Sequence, residues 1–275
     1  MAVDYIIDYP CKVKEALPLN ELIPMVKRRD YCRYILSIRL QDGESEEQAL
    51  NSTIEFQMRR PDGVTTQTEK LSDALNVTKV LDGLEGQCRD CPASRGQDFG
   101  CYCVINYPIS GKAEEWLIDM AKQALERGPP DSLLLDFILD KGLDGGSIPE
   151  MRAADSTYLE LRKPMEVVVP DGPFKGRTVS TDQILAMFID VGTMGRPHMK
   201  GLLQFSGGFS VLYREPACIT GLLASRMVDE SGTETWLMYN LPDGDMDDHS
   251  IKGLKQFLRA VFAAYALNND ILLDL

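Results

Sequence analysis

The chain has 275 residues, 44% hydrophobic and 26% charged, enough to bury one large core or two ordinary ones. Its formal net charge is −13, and so acidic a surface repels phosphate backbones and anionic lipid headgroups. Nucleic acid and membrane surfaces are therefore excluded as expected partners, and a basic run at Lys27, Arg28, Arg29, Arg33 and Arg39 reads as a solvated helix end and strand face.

The opening MAVDYIIDYP lacks the basic region of a secretory signal, and no stretch reaches the length of a transmembrane helix. A cytoplasmic location is the expectation. The chain begins with a short strand at Val3–Asp8. A weak helical pattern covers Asn20–Arg28, interrupted by Pro24. Arg33–Leu40 reads as a strand. In Ser52–Arg60 the residues Ile54, Phe56 and Met58 alternate with polar ones, which is period two. Pro61-Asp62-Gly63 then turns the chain, and Val64–Thr68 returns as a hairpin partner.

Next comes C-x2-C-x9-C-x-C, formed by Cys88, Cys91, Cys101 and Cys103 within residues 86–104. Four thiolates suit a tetrahedral structural zinc, which would contribute on the order of 10 kcal/mol to ordering the loop. An iron–sulfur cluster takes the same ligands but has other familiar spacings, so it ranks second. A thiol–disulfide centre ranks third, because no βαβ pattern surrounds the C-x-x-C. A catalytic zinc ranks last, since neither histidine lies near the cluster. Gly100 offers the kink that C-x-C needs, and Arg89, Arg95 and Lys112 could offset excess negative charge. Cys11, Cys32 and Cys218 read as small buried side chains.

An apolar stripe through Ala113, Trp116, Leu117, Met120, Ala124 and Leu125 predicts a helix capped by Ser110 and stopped at Gly128. A shorter helix follows at Ser132–Asp140. Residues 143–156 are Gly-rich and aperiodic, and read as a linker between domains at 1–142 and 157–275. Tyr158–Val169 reads as extended. Ser180 and Gln183 form a capping box ahead of a helix that ends near Gly192.

Gly201–Ser206 and Phe209–Arg214 flank Gly207-Gly208 as a tight hairpin, and Cys218–Val228 pairs with Glu234–Leu241. The acidic run Asp243, Asp245, Asp247 and Asp248 fails the calcium-loop spacing and reads as a turn before a helix over Ser250–Leu267. Arg196, His198 and Lys200 form a weak candidate ligand site in a Gly-rich connection.

The chain therefore reads as α+β, with antiparallel sheets packed with helices in two subdomains, the first carrying a zinc-stapled loop. The expected function is a non-catalytic binding or regulatory protein that acts through a protein partner, and self-association is compatible with it. The alternatives are an enzyme with a small-molecule pocket near Arg196–His198, or an iron–sulfur or thiol redox protein.

Overall fold

A computed structural model of the chain describes residues 2–60, 63–88, 91–94, 97–154, 156–212, 223–228 and 234–273. Antiparallel sheets and helices combine in it, as the α+β reading expects. The chain divides into two units, one made of Met1–Tyr9 with Cys101–Leu275, the other of Pro10–Gly100.

The larger unit opens with β1 (Ala2–Ile7), in which Tyr5, Ile6 and Ile7 are fully buried. The chain then leaves to build the smaller unit. There, α1 (Lys12–Ala16) is followed by the long α2 (Leu19–Gln41). α3 (Glu46–Asn51) starts at a capping box between Ser45 and Gln48. β2 (Thr53–Arg60) and β3 (Gly63–Lys70) pair from Thr53↔Lys70 to Arg60↔Gly63, the expected hairpin. Pro61 and Asp62 of its turn lie outside the described residues. α4 (Leu71–Val77), a 3-10 turn at Thr78–Leu81 and α5 (Asp82–Cys88) complete the unit. Its core joins Cys32, Ile54, Leu71 and Ala74, with Ile35, Leu36 and Phe56 packed against them.

The larger unit resumes with β4 (Tyr102–Asn106), which pairs antiparallel with β1. α6 (Gly111–Arg127) carries the predicted Ser110 cap, whose Oγ accepts from the Ala113 N–H at 3.1 Å, and ends at Gly128 with φ +72°. α7 (Leu133–Lys141), α8 (Ile148–Ala153), β5 (Glu166–Val168) and β6 (Thr178–Ser180) follow. α9 (Thr181–Ile189) starts at the predicted Ser180–Gln183 box. Then come β7 (Thr193–Met194), α10 (Arg196–Phe205), β8 (Phe209–Leu212), β9 (Leu223–Val228), β10 (Glu234–Tyr239), α11 (His249–Leu267) and β11 (Ile271–Leu273).

The principal sheet has the order β4-β1-β11-β7 and a second has β8-β10-β9, every pair antiparallel. α11 packs on β1 and β4. Its Ile251, Leu254, Phe257, Leu258, Val261 and Phe262 are buried, and Phe257 meets Tyr5 edge-on at 4.9 Å. Each such ring contributes about 1.5–3 kcal/mol by leaving water.

Several expectations are corrected. Arg33–Leu40 is the second half of α2, not a strand, because the buried positions Leu22, Val26, Arg29 and Cys32 continue one helical face. Gly201–Ser206 lies in α10 and at its end, with Met199, Leu202 and Leu203 turned inward. Gly207-Gly208 is therefore no hairpin turn. Gly207, at φ +71°, ends a helix. The expected linker 143–156 falls inside the larger unit, contains α8 and buries Ile148 and Arg152. Among the described residues, no helix is long and apolar enough to cross a membrane.

Candidate functional site

The thiol motif starts where α5 ends. Cys88 is the last residue of that helix and is buried, at 4% exposure. The chain turns at once: the Cys91 N–H donates to the Cys88 carbonyl at 3.1 Å, and Pro92–Ser94 forms a 3-10 turn. Ser94 is fully buried, with Oγ 2.7 Å from both the Cys88 and the Cys91 carbonyl oxygens. Each of these carbonyls also accepts a backbone N–H, from Cys91 and from Ser94, so the hydroxyl adds a second contact inside the turn. Two further turns follow, from Gln97 N–H to the Ser94 carbonyl and from Gly100 N–H to the Gln97 carbonyl.

Gly100 is required by close approach rather than by a kink. A Cβ there would sit 1.9 Å from the Ser94 carbonyl oxygen. Phe99, only 2% exposed, holds a left-handed φ of +53°, a costly conformation for an aromatic residue. The Arg29 guanidinium lies 4.8 Å from its ring centre and anchors it. The C-x2-C pair therefore sits on a built loop of the smaller unit. Arg89 and Arg95, expected to offset thiolate charge, lie outside the described residues, as does Cys218.

Burial pushes the Cys88 thiol above its ordinary pKa. A backbone hydrogen bond from Phe99 pulls it down, and the nearby Cys91, Cys11 and Asp98 push it up again. Cys11 is the N-cap of α1, which packs against α5, and its side chain makes no capping hydrogen bond.

Cys101 and Cys103 belong to the larger unit. The Cys101 carbonyl accepts from the Ile7 N–H at 3.0 Å. Cys103 stands in β4 opposite Tyr5, and Gln256 of α11 donates from Nε2 to its sulfur at 3.1 Å. No described cysteine is in a disulfide. As placed, no three His, Cys, Asp or Glu side chains among the described residues are gathered closely enough to hold a metal ion.

The second candidate group disperses along α10. Arg196 donates to the Tyr265 carbonyl and to Asn268 Oδ1, at 3.1 and 2.9 Å, and stacks on the Tyr265 ring. It caps the C-terminal end of α11. His198 Nε2 lies 2.7 Å from the Met187 carbonyl, and burial holds its pKa below the ordinary value despite that bond. Lys200 is exposed. Arg196 and His198 thus take separate partners.

The four arginines of the basic run on α2 pair inside their own unit. Arg28 pairs with Glu69, Arg29 and Arg33 both pair with Glu85, and Arg39 pairs with Glu44 at 3.0 Å.

Sequence reading gave no sign of a buried charge cluster found among the described residues. Arg152 of α8 binds both oxygens of Glu114 at 2.9 and 2.7 Å, donates to Asp182 through Nε at 2.9 Å, and reaches the Leu161 carbonyl at 2.6 Å. Thr181 donates to Glu114 at 2.5 Å. Burial opposes the Arg152 charge, but the two carboxylates outweigh it and raise its pKa. These partners make the cluster a clamp between α6, α8 and α9. Comparison with known proteins finds no matching family, no matching curated protein and no matching solved structure.

Proposed function

We propose that the chain is a non-catalytic binding module whose cysteine loop is stapled by a structural metal ion, zinc, and that it works through contact with another protein. The observation that carries the metal reading is the Cys88–Cys91 turn. Its carbonyls are held by a fully buried Ser94, and the Cys88 sulfur receives a backbone N–H. A pre-shaped turn with two thiols and an amide donor to sulfur is what a tetrahedral thiolate site requires of its backbone. Metal uptake and ordering of the loop would then be one event.

Binding is favoured over catalysis by how the reactive groups are used. The His198 imidazole lies against a backbone carbonyl, and the buried Ser250 hydroxyl contacts the Pro108 carbonyl and accepts from the Ser110 N–H. Glu114 and Asp182 are both spent on Arg152. Elemental analysis of the native protein tests the metal reading. One zinc per chain in a colourless protein is expected. Iron with visible absorption would replace zinc by a cluster, and a chain that takes up neither metal would remove the reading.

A further inference from the structure

Arg29 of α2 touches both sides of the turn that shelters Cys88. On one side it pairs with Glu85, one helical turn before Cys88 in α5. On the other its guanidinium lies 4.8 Å from the centre of the Phe99 ring. Phe99 and Gly100 close against the Cys88 turn: Gly100 lies against the Ser94 carbonyl, and Ser94 Oγ lies 2.7 Å from the Cys88 carbonyl. Arg29, Cys88, Ser94 and Phe99 are each at most 4% exposed, and all belong to the smaller unit.

Two features make this closure separable from the rest of the unit. Phe99 holds a left-handed φ of +53°, so the closed turn carries a backbone cost that its side-chain contacts must outweigh. Glu85 has a second cation in Arg33, at 3.3 Å, so α5 stays tied to α2 when Arg29 lets go. The core around Cys32, Ile54, Leu71 and Ala74 does not include Phe99.

We propose that Arg29 is a clasp: its contact with Phe99 holds the Phe99–Gly100 turn shut against Cys88, and its release opens that turn while the core of the unit stays folded. The turn is then the gate by which a metal ion or a thiol-reactive molecule reaches the buried Cys88 thiol. Arg29 is a positioning residue in this device, which stands whether or not the thiols hold an ion.

The test follows iodoacetamide labelling of the native full-length chain at pH 8, residue by residue, by mass spectrometry. EDTA is present throughout, so metal occupancy does not vary. Cys32, in the core, reports opening of the whole unit. F99L removes the ring and leaves α2 untouched, so it is read first and keeps the test valid if R29M folds poorly. R29M removes the charge and fills much of the same space. Each variant is expected to label Cys88 about tenfold faster or more, the scale of a desolvated cation–π contact, with Cys32 still unlabelled. The double variant should stay within about threefold of the faster single, because both singles remove one shared contact. Unchanged Cys88 labelling in F99L, Cys32 labelled as fast as Cys88 in F99L, or a double variant whose effect is the product of the two singles would each overturn the clasp.

Discussion

Arg29 shows how a single residue can conceal an element. It sits on the buried face of α2 at 3% exposure, paired with Glu85 and stacked on Phe99. An arginine in an apolar stripe reads as a break in periodicity, so the helix seemed to stop near Arg28. The ion pair that makes its burial tolerable is distant in sequence and has no local signature. Arg152 is a second case, lodged in a segment whose glycines suggest a linker. Replacing Glu114 by Gln should cost about 1–3 kcal/mol in denaturant unfolding, because Arg152 loses its charge-assisted hydrogen bonds to that carboxylate while Asp182 still balances its charge. A cost under about 1 kcal/mol would show that the clamp is not formed. Gly100 and Gly86 give a matched pair. Gly100→Ala must push the Ser94 carbonyl aside and should destabilise by about 1–3 kcal/mol. Gly86→Ala, with nothing within 4 Å in α5, should stabilise by roughly 0.5–1 kcal/mol. Cys32 is pushed up to about 11 from 9.0, first by burial, with Arg28 opposing and Glu69 adding. Its contribution to stability is therefore complete below pH 9 and declines as the pH rises towards 11, where the unfolded thiol ionises first. In the native protein at pH 8, an alkylating reagent followed by mass spectrometry should leave Cys32 unmodified.

Helices with strong local signals were legible in detail. Ser110, Ser180 and Gly128 act as read, because a cap is decided within four residues. Ser180→Ala should cost about 1 kcal/mol in thermal or denaturant unfolding, since both arms of the box are formed. α10 was misread for a different reason. Gly207 ends the helix, but Gly-Gly between apolar runs is also the mark of a hairpin, and only packing separates the two. The acidic run before α11 proves to be a capping device. Asp248 Oδ1 accepts from the Ile251 N–H, and Asp247 binds both Lys255 and the Gly244 N–H. Burial raises the Asp248 pKa, yet hydrogen bonds from Ser110 and Ile251 more than offset this and hold it low. A carboxyl lowered by folding stabilises at pH above the unfolded value of 3.8, and that stability is lost as the pH falls through the folded value. Asp248→Asn should therefore flatten the acid limb of a stability-against-pH curve. An unchanged acid limb would show that the carboxylate is not the operative cap.

At the scale of the molecule, the smaller unit is an insertion between two neighbouring strands. β1 and β4 are hydrogen-bonded partners, and the Ile7 N–H reaches the Cys101 carbonyl, although Pro10–Gly100 intervenes in sequence. Composition does not reveal this, because an insertion whose ends lie close together needs no flexible linker to mark it. Replacing Pro10–Gly100 by a short Gly/Ser turn should leave a larger unit with native-like circular dichroism and a cooperative melt. A molten product would show that the units do not fold separately. The Cys88–Cys91 spacing was legible as a tight local turn, whereas the separation of Cys101 and Cys103 into the larger unit is decided by packing that the spacing does not carry. The central claim is that thiolates of this loop hold a structural ion, and X-ray absorption at the zinc edge of the native chain tests it most directly. The account predicts a tetrahedral shell of sulfur at about 2.3 Å. A shell of nitrogen and oxygen, or an absence of zinc, would contradict it.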